Sequence, residues 1–129
     1  MAKTARQKDP NTARSHQTFI LMSHRKLRRV ANEVRGKNSI EAATMLRFMP
    51  YFSAKVILKN LIAAIHNAKV KFGEDFAPET LFVSYIAVDE GPAHNRFKPR
   101  AQGRVYKIQV PTAHLTIELQ QKSPVSGKN

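Results

Sequence analysis

A chain of 129 residues that is 42% hydrophobic and carries a net charge of +13, from 22 Lys plus Arg against 9 Asp plus Glu, is long enough for one core and too short for two. That much apolar side chain excludes a wholly disordered basic tail. That much unbalanced charge is unlike a soluble metabolic enzyme and implies a polyanionic partner, nucleic acid first.

The absence of Cys excludes disulfides, thiol nucleophiles and Cys-based metal sites. No apolar run approaches the roughly 20 residues that span a bilayer, and the basic start is not followed by the apolar segment of a secretory signal. The surplus charge is unevenly placed. Residues 1–29 hold eight basic residues and one acid, residues 30–92 seven of each, and residues 93–129 seven basic residues against Glu118 alone. Basic flanks around a neutral middle suit a rigid body whose flanks follow phosphates.

In chain order, residues 1–17 are expected to form a flexible basic arm that includes Arg14, with a short strand near 16–21. Ser23 is placed as a helix N-cap. Leu27, Val30, Ala31 and Val34 then recur at helical spacing, and Gly36 is suited to a left-handed terminus. His24, Arg25, Lys26, Arg28, Arg29, Arg35 and Lys37 surround that narrow stripe and are candidate RNA ligands. A second helix is expected from an Asn38/Ser39 cap, with Ile40, Ala43, Leu46 and Met49 inward and Pro50 ending it. A third runs from about Phe52 or Ser53 to Lys71, with Ile57, Leu61, Ala64, Ile65, Ala68 and Phe72 on its main face and Gly73 after it. Beyond Pro78 the period becomes two. Strands are expected over 81–88 and 105–110, and 114–119 either continues the latter or forms a third. Phe82 and Tyr85 are assigned to the core. Pro111 marks an edge or a bend. The tail over 122–129 is expected to be disordered.

The segment 89–104 is far longer than a hairpin turn, contains Arg96, Lys98, Arg100 and Arg104, and has no acid after Glu90. Phe97 is its one large apolar residue. A projection ordered by contact with something outside explains it better than a free loop.

No constellation for catalysis emerges. The scattered glycines form no phosphate loop, and the five histidines show no short-spaced ligand pair. Asp89–Glu90 lacks the neighbouring carboxylates of a two-metal nuclease. His66 reads as a surface helix residue, and His94 as an RNA contact. No catalytic, cofactor or metal residue is assigned.

The run from Ser23 to Lys37, the tract from Val88 to Pro92 and the segment from Arg96 to Arg104 resemble the large-ribosomal-subunit protein twenty-two family in its bacterial and plastid form, over about Thr18 to Gln120. The resemblance implies an α+β domain over 18–121, with three helices on a small antiparallel sheet and a protruding β-hairpin over about 86–110. It implies a structural and assembly role without enzymatic activity or cofactors. The partners would be large-subunit rRNA, neighbouring large-subunit proteins and the nascent polypeptide, with no membrane and no homo-oligomer. The setting would be a ribosome in bacterial cytoplasm or plastid stroma, the hairpin lining the peptide exit tunnel. His94, Asn95, Arg96, Phe97, Lys98, Pro99, Arg100 and Ala101 would form the tunnel tip, and Arg104 and Lys107 would join the rRNA ligands. Phe97 and Lys98 stand where an aliphatic pair is common, and Gln102 where Lys is common. The rival readings are a free-standing architectural RNA- or DNA-binding protein and an enzyme of nucleic-acid metabolism.

Overall fold

The computed structural model describes residues 11–73 and 77–122. Strand β1 (Thr12–Ile20) is followed by helices α1 (His24–Val34), α2 (Ser39–Phe48) and α3 (Phe52–Phe72), then by strands β2 (Leu81–Glu90), β3 (His94–Pro99), β4 (Val105–Val110) and β5 (Ala113–Gln121). The strands form an antiparallel sheet in the order β1-β5-β2 and a separate β3–β4 pair. This is the α+β architecture with a hairpin that the sequence predicts.

The central strand β5 explains the core. Ala113, Leu115, Ile117 and Leu119 are fully buried, and they join Leu27, Val34, Leu46, Ile57 and Leu61 of the helices in one core. Leu and Ile of β5, with Val83 and Val88 of β2, share this core with three helical stripes and bury enough apolar surface to fix the sheet, at about 25 cal/mol per Å². Each sheet edge is closed by a helix or by the turn that follows it. On the β2 side the main chain of Gly36 and Lys37 bonds Val83, and the Arg35 and Arg28 guanidinium groups donate to the Ile86 and Val88 carbonyls at 2.9 and 3.0 Å. On the β1 side Asn67 and Lys71 of α3 donate to the carbonyls of Arg14 and Thr12. Unpaired edges invite pairing with other chains, and these contacts block it.

Several expectations are corrected. The flexible arm over 1–17 does not extend past Asn11, because residues 12–17 are strand, paired from Thr12↔Gln120 to Gln17↔Leu115. Its partner lies about a hundred residues away, so nothing local announces it. Residues 1–10 and 123–129, where the rest of the arm and the tail were expected, lie outside the described residues. Ser23 occupies the N-cap position of α1 with extended backbone, but its hydroxyl makes no capping bond. The inward face of α2 is Ser39, Ala42 and Leu46, whereas Ile40 is 43% exposed. The Ser39 hydroxyl donates to the Pro78 carbonyl, and Asn38 both caps Ile40 and donates to the Glu79 carbonyl, which together set the rotation of the helix. Tyr85 is exposed rather than core. The register slips between Val83 and Tyr85, and burial on β2 passes from Leu81 and Val83 to Ile86 and Val88 across that bulge.

Candidate nucleic-acid interface

Two basic surfaces result from this fold. The first is α1, whose buried stripe (Leu27, Val30, Ala31, Val34) leaves Arg25, Lys26, Arg28 and Arg29 exposed. They differ in availability. Arg28 and Arg35 spend donors on β2 carbonyls, and Arg35 also donates to Asn32 Oδ1 at 3.1 Å. Arg25 and Lys26 bond to no described residue, and Arg29 makes only a cation–π contact, its guanidinium carbon 6.0 Å from the Tyr51 ring centroid. Lys37 is half-buried, with Nζ 3.3 Å from Met45 Sδ. His24 is half-buried, and its Nδ1 has no hydrogen-bond partner.

The second surface is the hairpin. Pairing of His94↔Val110 through Pro99↔Val105 makes a shaft about 20 Å long at ~3.3 Å per residue. Every residue of β3 is exposed, as is all of β4 except half-buried Val110. Alternation puts Arg96 and Lys98 on one face with Tyr106 and Ile108, and Phe97 and Pro99 on the other with Val105 and Lys107. The turn runs from Arg100 to Arg104, closed by the Arg100 N–H donating to the Arg104 carbonyl at 2.7 Å. Gln102 (φ 63°) and Gly103 (φ 71°) take it through the left-handed region. The Arg100 guanidinium lies 5.7 Å from the Tyr106 ring centroid. The eight residues expected at the tip therefore separate. Arg100 and Ala101 belong to the turn, while His94, Asn95, Arg96, Phe97, Lys98 and Pro99 are the ascending strand, with His94 at its base.

The hairpin joins the body through a narrow neck. The Gly91 N–H donates to the Thr112 carbonyl at 2.9 Å, and the fully buried Thr112 hydroxyl donates to the Pro92 carbonyl. Pro111 supplies the bend between β4 and β5.

Arg14 stands apart from both surfaces, exposed on β1 opposite Glu118. Of the predicted rRNA ligands, then, Arg25, Lys26, Arg28 and Arg29 share α1, and Arg96, Lys98, Arg100, Arg104 and Lys107 share the hairpin. Sequence reasoning missed Tyr106, Thr112 and the pair Tyr51–Phe52. Tyr51 and Phe52 had one signal, since they precede the apolar stripe of α3 that the same helix buries. Thr112 had none. Among the described residues no three His, Asp or Glu stand close enough to hold a metal ion, and no helix is long and apolar enough to cross a membrane.

Comparison with known proteins completes the picture. The family model described as ribosomal protein L22p/L17e matches residues 15–120. The chain is 46% identical over 114 residues to the "Large ribosomal subunit protein uL22" of Acaryochloris marina, covering 88% of this chain and 93% of that protein. It is 43% identical over 105 residues to the "Large ribosomal subunit protein uL22c" of Cyanophora paradoxa, covering 81% and 90%. The uL22 of Geobacter sulfurreducens is 47% identical over 105 residues, again 81% of this chain and 93% of its own length.

Proposed function

The chain belongs to the ribosomal protein L22p/L17e family, and from that membership we infer how its two basic surfaces divide the work of a structural constituent of the large ribosomal subunit. It binds large-subunit rRNA in a bacterial or plastid ribosome. The body docks through Arg25, Lys26, Arg28 and Arg29 of α1. The hairpin passes into the RNA and presents its Arg100–Arg104 turn to the lumen of the peptide exit tunnel, where it meets the nascent polypeptide. The role is positional and carries no turnover.

One observation supports this most. A six-residue antiparallel pair with nothing buried beneath it, holding Arg96, Lys98, Arg100, Arg104 and Lys107 and no acid from Gly91 to Val110, gains nothing for the core. Surrounded by RNA, its arginines meet phosphates and its open strand edges meet riboses, contacts that fix register without reading base sequence. Arg96 and Lys98 stand on one face of the shaft and Lys107 on the other beside Phe97 and Val105, so cations meet RNA on both sides.

Binding of the full chain to a large-subunit rRNA transcript across a salt series tests the division. Replacing Arg96, Lys98, Arg100 and Arg104 together by Ala should lower the slope of log K against log salt by about 3, at roughly 0.7–0.9 per phosphate contact. Replacing Arg25 and Lys26 should lower it by about 1.5. An unchanged slope in the hairpin variant contradicts the proposed RNA contacts of the shaft.

A further inference from the structure

Where α1 meets the start of α3 the surface opens into a cleft of about 320 Å³ whose apolar lining includes Met22 and Val30. That volume lies at the small end of the roughly 300–1,000 Å³ of ligand pockets. Lys26 and Arg29 come to it from α1, and Tyr51, Phe52 and Ser53 from the beginning of α3. Tyr51 and Phe52 are 49% and 62% exposed, so neither ring serves the core. Lys26 and Arg29 make no hydrogen bond or ion pair to any described residue.

The start of α3 is equally unprovided. Its N-cap residue, Tyr51, offers no side-chain acceptor, and the first turn of this 21-residue helix contains no acid. The unpaired N–H groups at such a terminus and its dipole favour an anion. A second observation at the same place points to a ligand. Ser53 lines the cleft and is 4% exposed, yet its hydroxyl has no partner among the described residues. The Ser53 hydroxyl thus keeps its hydrogen-bonding capacity for whatever enters a cleft rimmed by Lys26 and by Arg29, whose guanidinium lies 6.0 Å from the Tyr51 ring centroid.

Flat rings beside cations, a helix terminus and an unpaired hydroxyl match a planar heteroaromatic group joined to an anion. We propose that this cleft receives one unstacked nucleotide of RNA, its base against Tyr51 and Phe52 and its phosphate held by Lys26, Arg29 and the start of α3. The chemistry is that of single-stranded RNA recognition, in which a splayed base stacks on an aromatic side chain and a guanidinium plane. An acidic peptide would satisfy the cations and leave the exposed rings without a flat partner. The inference rests on the rRNA-binding reading above and adds a base contact to the phosphate contacts proposed there.

The test uses the full chain and a large-subunit rRNA transcript. Replacing Tyr51→Leu and Phe52→Leu together is expected to weaken binding about 5- to 50-fold, the scale of losing base–aromatic stacking. The salt slope should stay unchanged, because stacking releases no counterions. Unfolding by urea checks that the variant is folded. Irradiation of the wild-type complex at short ultraviolet wavelength, followed by peptide mass spectrometry, is expected to find a nucleotide adduct on Tyr51 or Phe52, and needs no variant. Wild-type affinity in the double variant, with adducts confined to the hairpin, overturns the cleft and leaves the rRNA reading standing. Failure of the wild-type chain to bind the transcript at all overturns that reading as well. Crosslinks from Tyr51 or Phe52 to a protein in intact large subunits also overturn the proposal, because the occupant is then a polypeptide.

Discussion

The neck of the hairpin makes the sharpest stability prediction. Gly91 has an ordinary backbone conformation, so an alanine there is not opposed by its dihedrals. Space is what opposes it. A Cβ on residue 91 would overlap Thr112 Oγ1 and lie 3.2 Å from both His114 Nε2 and the Thr112 carbonyl carbon. Thr112 cannot swing away freely, because it is fully buried and its hydroxyl is bonded to the Pro92 carbonyl. Displacing that hydroxyl forfeits a buried hydrogen bond, about 1–3 kcal/mol, and forcing a methyl into a packed site costs about 1–3 kcal/mol when the surroundings yield in part. Restricting the unfolded chain returns about 0.4–1 kcal/mol. Gly91→Ala should therefore destabilise by about 2 kcal/mol, a fall in Tm of about 6–10 °C for a domain of this length. Urea unfolding of Gly91→Ala, Thr112→Ala and the double variant forms a cycle. With Oγ1 gone, the alanine should cost less than about 1 kcal/mol. Additivity of the two single changes, or a neutral Gly91→Ala, refutes the argument that Thr112 is the obstacle.

Other outcomes follow from the same contacts. Arg35→Ala should cost about 1–2 kcal/mol in urea unfolding because the Ile86 carbonyl loses a charged donor, whereas Arg25→Ala should leave the midpoint unchanged and weaken only RNA binding. Gly36→Ala should cost about 1 kcal/mol through its φ of 81° alone, since nothing lies within 4 Å of an added Cβ. Asn38→Ala removes the acceptor for the Ile40 N–H and the donor to the Glu79 carbonyl, and should cost about 1–2 kcal/mol by the same measurement. Amide exchange on the free chain should be fast along β3 and β4, whose ladder is exposed on every side, and slowest in α3 and β5.

What was legible in the sequence tracks how local its causes are. Helix α3 is legible because Ile57, Leu61, Ala64 and Ala68 repeat over several turns, and the structure buries all four. Strand β4 matches its expected bounds, set by Gly103 and Pro111 on either side. The reach of β1 was hidden because its register is dictated by β5, at the far end of the chain. The exposure of Tyr85 was hidden by a bulge, which reverses the alternation without marking the composition. At the site, composition picks out the basic residues without saying which are free. Arg28 and Arg35 look like Arg25 in the sequence, yet only their distance from the open edge of β2 gives them a second task. The tip expected over His94 to Ala101 likewise divides into strand and turn, because six cross-strand pairs, invisible in one strand's sequence, leave only Arg100 and Ala101 of it in the Arg100–Arg104 turn.

The central claim is that the β3–β4 hairpin runs through rRNA and sets its Arg100–Arg104 turn in the wall of the tunnel. A density map of large ribosomal subunits from the source cell, washed at high salt, tests it most directly. The account predicts density for this chain with Arg96 and Lys98 against RNA backbone and the turn at the lumen. A hairpin lying on the solvent side of the particle, or a chain removed by the wash, would contradict it.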